Sequence, residues 1–444
     1  MALGGGTFTK TDKVLPGVYI NAVTTGLPSS NSERGVVAVP MNWNWGPEDE
    51  IVKVDKYNLK DNETYKIFGF PYNSDEMRPI REMFAGADTI LFYRANSGGE
   101  KAKLEKTVGE STVTVAHAKY SGTRGNDLKL AVVANLDDSD KNYTVNAFMD
   151  GRKVFSQMAD DVDDLVDNDF ITWEKSGWTL EEDAGSSFTD GTDGTASIDD
   201  VTAFTEKLQK HHCNIIIAPT SENATKAALI NFAKRMREDR GYNTQVVVYN
   251  YNSADSEAAI SVANTAKDAD GYELVYWVGG QEAGTKAGSD LNGTVYSGEY
   301  NIDTDYTQTE LEGKLANGEF VLHEVNGEIC VLKDINTLKT YTEAKGSVFR
   351  NNSTIRIIDK ISDDVSAVFA RFIYGKVKNS PSGRDLLKVS IYDVLNELVT
   401  DEAIEPIDVT DIVVEEAKEN SVTVEIPVKI FGSIEQVYIV LSIS

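Results

Sequence analysis

Residues 214–218 read NIIIA and residues 245–249 read QVVVY, on either side of ATKAALINFAKRMR at 224–237. Both short runs are largely apolar, which is typical of strands buried on both faces of a parallel sheet, and the stretch between them has helical periodicity. The alternation continues with predicted helices at 198–210 and 257–265 and a predicted strand at 273–278 (ELVYWV). The pattern predicts a doubly wound α/β domain.

Shorter elements precede this domain. We predict strands at 35–40 and 90–94 with a helix at 77–84 between them. Alternating β runs follow, and they indicate an inserted β-sandwich. A loop rich in Asp, Gly, Thr and Ser near residue 190 then marks a domain boundary.

The chain ends in two helix patterns and two strand patterns. We predict helices at 361–374 and 383–398, and alternating strands at 422–426 and 437–443. A terminal strand without a partner leaves N–H and C=O groups unpaired, which favours pairing with another chain. We therefore predict extended arms at both ends, each with a strand.

The composition excludes several classes of protein. The chain has 444 residues, 41% of them hydrophobic, and a net charge of -28, so it can form several folded domains but is a poor match for nucleic-acid phosphates. It has no apolar stretch long enough to span a membrane, and two cysteines are too few for a disulfide framework. We expect neither direct nucleic-acid binding nor membrane insertion.

Patterns that resemble catalytic, nucleotide or metal sites are incomplete. The glycine-rich run at 279–286 has Thr285 where a phosphate-binding loop needs Lys, and the four-residue spacing of Gly280, Gly284 and Gly288 suits close helix packing instead. Residues 211–213 (HHC) lie at adjacent strand positions, which cannot converge on one zinc ion. Acidic loops lack the spacing of a calcium loop, although weak calcium binding stays open. No nucleophile elbow accompanies the four histidines His117, His211, His212 and His323. We therefore expect no enzyme activity and no cofactor.

The most specific motifs lie in the C-terminal third. They are DINTLKTY at 334–341, IRIIDKI at 355–361, YGKVKN at 374–379, GRDLLK at 383–388 and IEQVYI at 434–439. Supporting motifs are PGVYI at 16–20, KYSGTRGND at 119–127 and RMREDRG at 235–241. Together they resemble the tail sheath proteins of contractile-tailed phages and phage-tail-like bacteriocins, in the branch with short subunits typical of Gram-positive hosts. The resemblance covers nearly the whole chain and is weakest at 135–200.

This resemblance implies a structural role. Subunits would stack as hexameric rings around a tail tube, exchange terminal strands with neighbouring copies, and contract to drive the tube through the target cell envelope. The implied partners are further copies of the chain, the tail tube protein, and baseplate and tail-terminator proteins. The implied location is a virion tail or a phage-tail-like particle, assembled in the bacterial host cytoplasm; a DNA-carrying phage and a DNA-free bacteriocin both stay open.

The resemblance also implies a division of the chain into six segments. These are an N-terminal arm (1–22), an α/β segment that packs with the C-terminal domain (23–97), a β-sandwich (98–190), a non-catalytic subtilisin-like α/β domain (191–335), an α+β tube-proximal C-terminal domain (336–420) and a C-terminal arm (421–444).

Two sets of residues are candidates for assembly contacts. The strand-exchange set is Val18, Tyr19, Ile20, Val422, Val424, Ile426, Val437, Tyr438, Ile439, Val440 and Leu441. The second set is a run of cations in a strongly acidic protein, called the basic strip here and expected to face the tube, although an ordinary solvated helix face stays open. The basic strip is Arg371, Lys376, Lys378, Arg384 and Lys388.

Two other functions fit the sequence less well. One is an inactive or cryptic α/β hydrolase with an accessory β-domain, and the other is a surface-layer or adhesion protein. Incomplete catalytic patterns and strand-like termini favour the sheath.

Overall fold

The computed structural model describes residues 4–6, 17–19, 34–59, 61–135, 141–417, 421–435 and 438–439. These form two compact units: the larger one consists of the described residues of 34–359 with 432–435 and 438–439, and the smaller one of those of 360–431 with 4–6 and 17–19. Four strand-exchange candidates lie outside the described residues, namely Ile20, Val437, Val440 and Leu441. None of the described helices is both long and apolar enough to cross a membrane.

Helices and strands occur in blocks along the chain. The first block is β1 (Gly4–Gly6), β2 (Gly17–Tyr19), β3 (Val36–Met41), β4 (Ile51–Asp55), α1 (Asp61–Phe68), α2 (Arg78–Phe84) and β5 (Thr89–Arg94). The second is β6 (Lys101–Val108), β7 (Ser111–Ser121), β8 (Leu128–Ala134), β9 (Tyr143–Met149), β10 (Arg152–Ala159), β11 (Ile171–Trp173) and β12 (Asp183–Ser187). The third is α3 (Ile198–Leu208), β13 (Ile215–Ala218), α4 (Asn223–Arg235), β14 (Gln245–Tyr249), β15 (Ala259–Val262), α5 (Leu274–Gly284), α6 (Gln308–Ala316), β16 (Glu319–Val325) and β17 (Glu328–Lys333). The last is α7 (Asn352–Val368), α8 (Pro381–Thr400), β18 (Val413–Glu416) and β19 (Val422–Glu425).

A mixed eight-stranded sheet forms the centre of the larger unit, in the order β17-β16-β15-β14-β13-β3-β5-β4. The six inner strands are parallel, and the edge strands β17 and β4 are antiparallel to their neighbours. Since β3 pairs directly with β13, the segments predicted at 23–97 and 191–335 contribute strands to one sheet. The apolar strand β13 needs a buried partner on each side, and β3 provides one of them.

Both faces of this sheet are buried, which explains the continuous apolar runs. Ile215 and Ile217 of β13 pack in a core with α2 and α5, whereas Ile216 packs in a second core with α3 and α4. Likewise, Val247 of β14 packs in the first core and Val246 packs in the second. The sheet has the doubly wound arrangement predicted from the sequence.

Three predicted elements differ from the structure. The run at 273–278 begins α5 instead of forming a strand, because a fully buried helix is as apolar as a buried strand. The predicted helix at 257–265 is β15, which is fully buried between β14 and β16, so tertiary context overrides its alanine-rich composition. α7 begins at Asn352 rather than at 361, because polar residues of its first turns are buried in the larger unit.

The insertion forms two antiparallel sheets, in the orders β10-β9-β8-β12 and β11-β7-β6. Alternate side chains of β8 and β9 point inward: Leu130, Val145 and Ala147 are fully buried. This alternation, hydrophobic inside and polar outside, is the pattern that predicted a β-sandwich.

Glycines of α5 allow close packing against α2. A Cβ atom on Gly280 would lie 2.2 Å from the Met83 carbonyl oxygen, and one on Gly284 would lie 1.9 Å from the Gly86 carbonyl oxygen. Gly280 and Gly284 therefore serve helix packing, as predicted, whereas Gly288 lies beyond the end of α5 and is not part of the stripe.

We expect Gly284→Ala to destabilise the unassembled protein by about 1–3 kcal/mol, because the added methyl group overlaps backbone that cannot move independently. Gly313→Ala on α6 is a matched control, since a Cβ atom there meets no atom within 4 Å; it should be neutral or stabilise by up to about 1 kcal/mol. Urea unfolding curves measure both. Equal midpoints for the two variants would contradict the packing role.

Candidate assembly interface

A two-stranded antiparallel hairpin, β18 with β19, lies in the smaller unit. Val414 is opposite Val424, and Glu416 is opposite Val422. Neither strand pairs with a third one among the residues that the structure describes. The predicted strand at 422–426 is thus confirmed over 422–425, but it has a partner in its own chain that the sequence analysis missed.

The hydrogen-bond register determines which backbone groups of β19 point away from β18. The Ala417 amide donates to the Ser421 carbonyl oxygen at 3.0 Å. Bonded and non-bonded pairs alternate along an antiparallel ladder. The Thr423 amide therefore points toward β18, whereas the amides of Val422 and Val424 point to the open edge. This edge presents donors and acceptors suited to another strand.

The other described strand-exchange candidates are dispersed. Val18 and Tyr19 lie in β2, which pairs in parallel with β1 of the same chain. Ile426 follows β19 and is half-buried. Tyr438 and Ile439 are 87% and 75% exposed and lie outside any strand. The sequence predicts a terminal strand at these two residues, but they form none in the single chain. A β-strand needs a neighbouring strand to pair with, and none of the described strands pairs with this segment.

Three cations of the basic strip are exposed. They are Arg371 at the end of the α7 region and Lys376 and Lys378 in the loop that follows. The Lys376 amine donates a hydrogen bond to the Arg371 carbonyl oxygen. These three charges lie close together in the sequence and are accessible to a partner.

The remaining two cations of the strip contact their own unit. Arg384 is half-buried and donates to Asn379 Oδ1 at 2.8 Å and to a Glu416 carboxylate oxygen of β18 at 3.2 Å. The Lys388 amine reaches the Thr410 carbonyl oxygen at 3.5 Å. The strip is therefore not a uniform solvated face, because one end of it is bonded to the hairpin.

A groove of about 560 Å³ lies between the basic strip and the hairpin. Tyr374, which is 73% exposed, forms part of its apolar wall. The groove brings together members of both candidate sets. Its lining includes Phe369, Tyr374, Lys378, Arg384, Leu387 and Val422.

The residues considered for catalysis and metal binding have structural surroundings. Cys213 is buried beside the Thr244 hydroxyl at 3.6 Å, and burial raises the pKa of its thiol to about 12. A protonated, buried thiol is a poor nucleophile. No group of three or more His, Cys, Asp or Glu side chains within the described ranges is arranged to hold a metal ion.

A buried charge cluster, which the sequence analysis missed, joins α5, α7 and the end of β17. The Arg356 guanidinium donates to Glu282 Oε2 and to Asp334 Oδ2, both at 2.5 Å, and all three side chains are fully buried. The Asn352 amide donates to Glu282 Oε1 at 2.9 Å and to Asp334 Oδ1 at 2.8 Å. These contacts hold the first turns of α7 in the larger unit.

Two carboxyl groups share one guanidinium in this cluster, and their pKa values shift in opposite directions. Burial and the nearby Asp334 charge raise the pKa of Glu282 well above its ordinary value. Burial opposes ionisation of Asp334 as well, but Arg356 and the hydrogen bonds hold the pKa of Asp334 below its ordinary value. The cluster thus favours the protonated form of Glu282 and the ionised form of Asp334.

We expect Arg356→Met to destabilise the unassembled protein by about 3–5 kcal/mol, because it leaves Asp334 buried without its cation. Arg235→Met is the control: Arg235 is exposed on α4, and its replacement should change the free energy of unfolding by less than about 0.5 kcal/mol. Chemical denaturation measures both. A loss below about 1 kcal/mol for Arg356→Met would show that the cluster is not essential.

The fold and these surfaces define a multidomain α/β structural protein with an inserted β-sandwich. Four family models match successive parts of the chain. They are the tail sheath protein Gp18 domain III N-terminal region (34–95), the phage tail sheath protein beta-sandwich domain (97–193), the phage tail sheath protein central domain (194–337) and the phage tail sheath C-terminal domain (344–444).

Solved structures agree with these matches. The sheath tail protein of Desulfitobacterium hafniense is 32% identical with a TM-score of 0.77, over 90% of this chain and 93% of that chain. The sheath tail protein of Listeria innocua is 28% identical with a TM-score of 0.73, over 87% and 89%. The helical sheath of the anti-feeding prophage in its contracted state shares the fold at 11% identity, with a TM-score of 0.55 over 97% and 99%.

The chain belongs to the phage tail sheath protein family. The resemblance stated from its sequence motifs is confirmed. Members of this family are structural proteins of contractile phage tails and phage-tail-like particles, so the chain is not an enzyme.

Proposed function

We propose that the chain is the repeating subunit of a contractile tail sheath, stacked in hexameric rings around the tail tube and linked to neighbouring copies by exchanged β-strands. Contraction of the stack drives the tube through the target cell envelope. Its partners are further copies, the tube protein, and baseplate and tail-terminator proteins, and assembly takes place in the host cytoplasm. The subtilisin-like classification of the middle domain belongs to the same proposal.

The open edge of the β18–β19 hairpin is the observation that carries this proposal. A two-stranded hairpin is marginally stable alone, and its edges favour further pairing. Each backbone hydrogen bond contributes about 0.5–1.5 kcal/mol net, so a strand that pairs along β19 adds a link of a few kcal/mol. The side chains of Val422 and Val424 provide additional apolar contact. The fold shared with a contracted sheath supports the contraction step.

We expect Val424→Pro to prevent the growth of long sheaths while leaving the subunit folded. Proline removes the outward N–H of the open edge but keeps the ladder between β18 and β19, since proline is tolerated at edge positions whose N–H does not pair. Electron microscopy of the purified protein measures the outcome. The unmodified protein should form rings, tubes or cylinders with the diameter of a contracted sheath.

Val424→Thr is the matched control, because it changes the side chain at the same position and keeps the N–H. It should polymerise like the unmodified protein. Cylinders of normal length from Val424→Pro, with circular dichroism that shows a folded subunit, would exclude strand exchange at this edge.

The basic strip is proposed as the contact with the tail tube or with an acidic patch on a neighbouring subunit. Its exposed cations Arg371, Lys376 and Lys378 stand out in a protein of net charge -28. A single exposed pair contributes about 0–1 kcal/mol. Many repeated pairs along a tail give a cooperative contact that a rotation of the subunits can break.

We expect charge reversal by Lys376→Glu with Lys378→Glu to weaken co-assembly with tube protein and to reduce its salt dependence, because screening acts on the removed charge pairs. The control is reversal of two exposed cations of the larger unit, Lys210→Glu with Arg240→Glu. Sedimentation of sheath with tube across a salt series measures both. Unchanged co-sedimentation and an unchanged salt response for the first pair would place the contact elsewhere.

A further inference from the structure

A cavity of about 700 Å³ opens at the carboxyl ends of β3 and β13 in the larger unit. The ladder between these two central strands consists of Ile215 opposite Val37 and Ile216 opposite Ala38. Beyond these pairs the ladder stops, and β3 continues through Pro40, which has no N–H to donate. The cavity occupies the space where pairing has ended.

The topology makes this position a switch point of the sheet. β5 is added on one side of β3, and the next strand of the sheet, β13, is added on the other side. In open α/β sheets, ligands bind in the crevice at the carboxyl ends of strands where the order reverses in this way. The cavity therefore lies where other open α/β sheets bind their ligands.

The surroundings of the cavity are negatively charged. Its charged lining residues are Asp75, Glu76, Arg78, Glu222 and Glu273. Four carboxylates and one guanidinium leave three negative charges. The partial positive charges at the N-termini of α2, α3, α4 and α5, about +0.5 each, offset about two of them. Arg78 is also already bonded to Asp268 at 3.2 Å. The balance favours a cation over an anion.

One buried hydroxyl group in the wall lies beside a carboxyl group. Tyr300 is 5% exposed, and its hydroxyl is next to the Glu273 carboxyl group. Burial and the interaction with Glu273 raise the pKa of the Tyr300 hydroxyl. Burial raises the pKa of the Glu273 carboxyl group as well, although the Tyr300 hydroxyl opposes this shift. A hydroxyl group has one donor and two acceptor sites, so the Tyr300 oxygen can still accept a hydrogen bond from a donor placed beside Glu273.

Aromatic rings form much of the remaining wall. Trp43, Tyr272 and Tyr276 line the cavity, and Trp43 and Tyr276 are 8% and 4% exposed. Aromatic faces attract cations and stack on flat apolar groups. The cavity therefore combines acceptors for N–H groups with surfaces for a ring.

We propose that the cavity binds small primary ammonium compounds that carry an aromatic ring. The ammonium group donates to Glu273 and to the Tyr300 hydroxyl oxygen, and the ring lies among Trp43, Tyr272 and Tyr276. This site is separate from the hairpin and the basic strip, so it does not depend on the assembly proposal.

The test uses benzylammonium as the probe, with the full-length unassembled protein and calorimetry at neutral pH. We expect saturable binding of one molecule per chain, with a dissociation constant in the millimolar range or below. Benzyl alcohol, which has the ring without the charge, and methylammonium, which has the charge without the ring, should each bind at least about tenfold more weakly.

Variants assign the binding to this cavity. Glu273→Gln should weaken benzylammonium binding about tenfold or more, and Tyr300→Phe should weaken it a few-fold. Glu206→Gln, which removes an exposed carboxylate from α3, should leave it unchanged. A crystal structure of the unmodified protein soaked in benzylammonium should show the ring in the cavity, and this measurement does not depend on whether a variant folds.

Three results would overturn the proposal. They are the absence of saturable binding up to about 10 mM, equally tight binding of benzyl alcohol, and a soaked crystal in which the ring lies elsewhere. Unchanged affinity in a folded Glu273→Gln variant would also exclude the assigned contact.

Discussion

The buried contact of Arg356 with Glu282 and Asp334 is the constraint on which the larger unit depends. A buried guanidinium needs an anionic partner and hydrogen-bond acceptors, and here the two carboxyl groups and the Ser289 carbonyl oxygen accept from its two terminal nitrogens, whereas Nε has no partner among the described residues. Apolar contacts of neighbours such as Ile355 are not directional and would allow several positions of the helix, whereas the directional hydrogen bonds of the cluster allow only one. The first turns of α7 are therefore fixed relative to α5, and α5 is fixed relative to α2 by its glycines.

The sequence predicts the elements whose signal is local. β13 and β14 are short apolar runs next to amphipathic helices, so periodicity identifies them. α5 is apolar on all sides and β15 is alanine-rich, so their secondary structure is decided by neighbours in the sheet. The charge cluster is invisible to any local pattern, because Arg356 lies 74 residues from Glu282 and 22 from Asp334.

The same distinction applies to the assembly surface. The alternation at 422–426 predicts a strand, but β18 is a short, acidic strand without an alternating apolar pattern, and it was not predicted. Its presence bears on the proposed strand exchange. An incoming strand would pair with an edge that β18 already holds in the extended conformation, and such preorganisation reduces the entropy cost of association.

Self-association of a chain with net charge -28 requires local charge complementarity. At physiological salt, charges farther apart than about 8 Å are largely screened, so nearby charges determine the contact energy. Residues 371–388 contain five cations and one anion, whereas 408–416 contain four anions and no cation. Arg384 and Glu416 show that these two stretches attract each other within one chain. A copy that offers its exposed cations to the acidic hairpin of a neighbour would repeat that contact between chains, with the open edge of β19 next to it. Ion pairs and backbone hydrogen bonds would then form at the same interface. The weak, salt-sensitive ion pairs would orient the two chains, and the backbone hydrogen bonds between the paired strands would provide most of the binding energy.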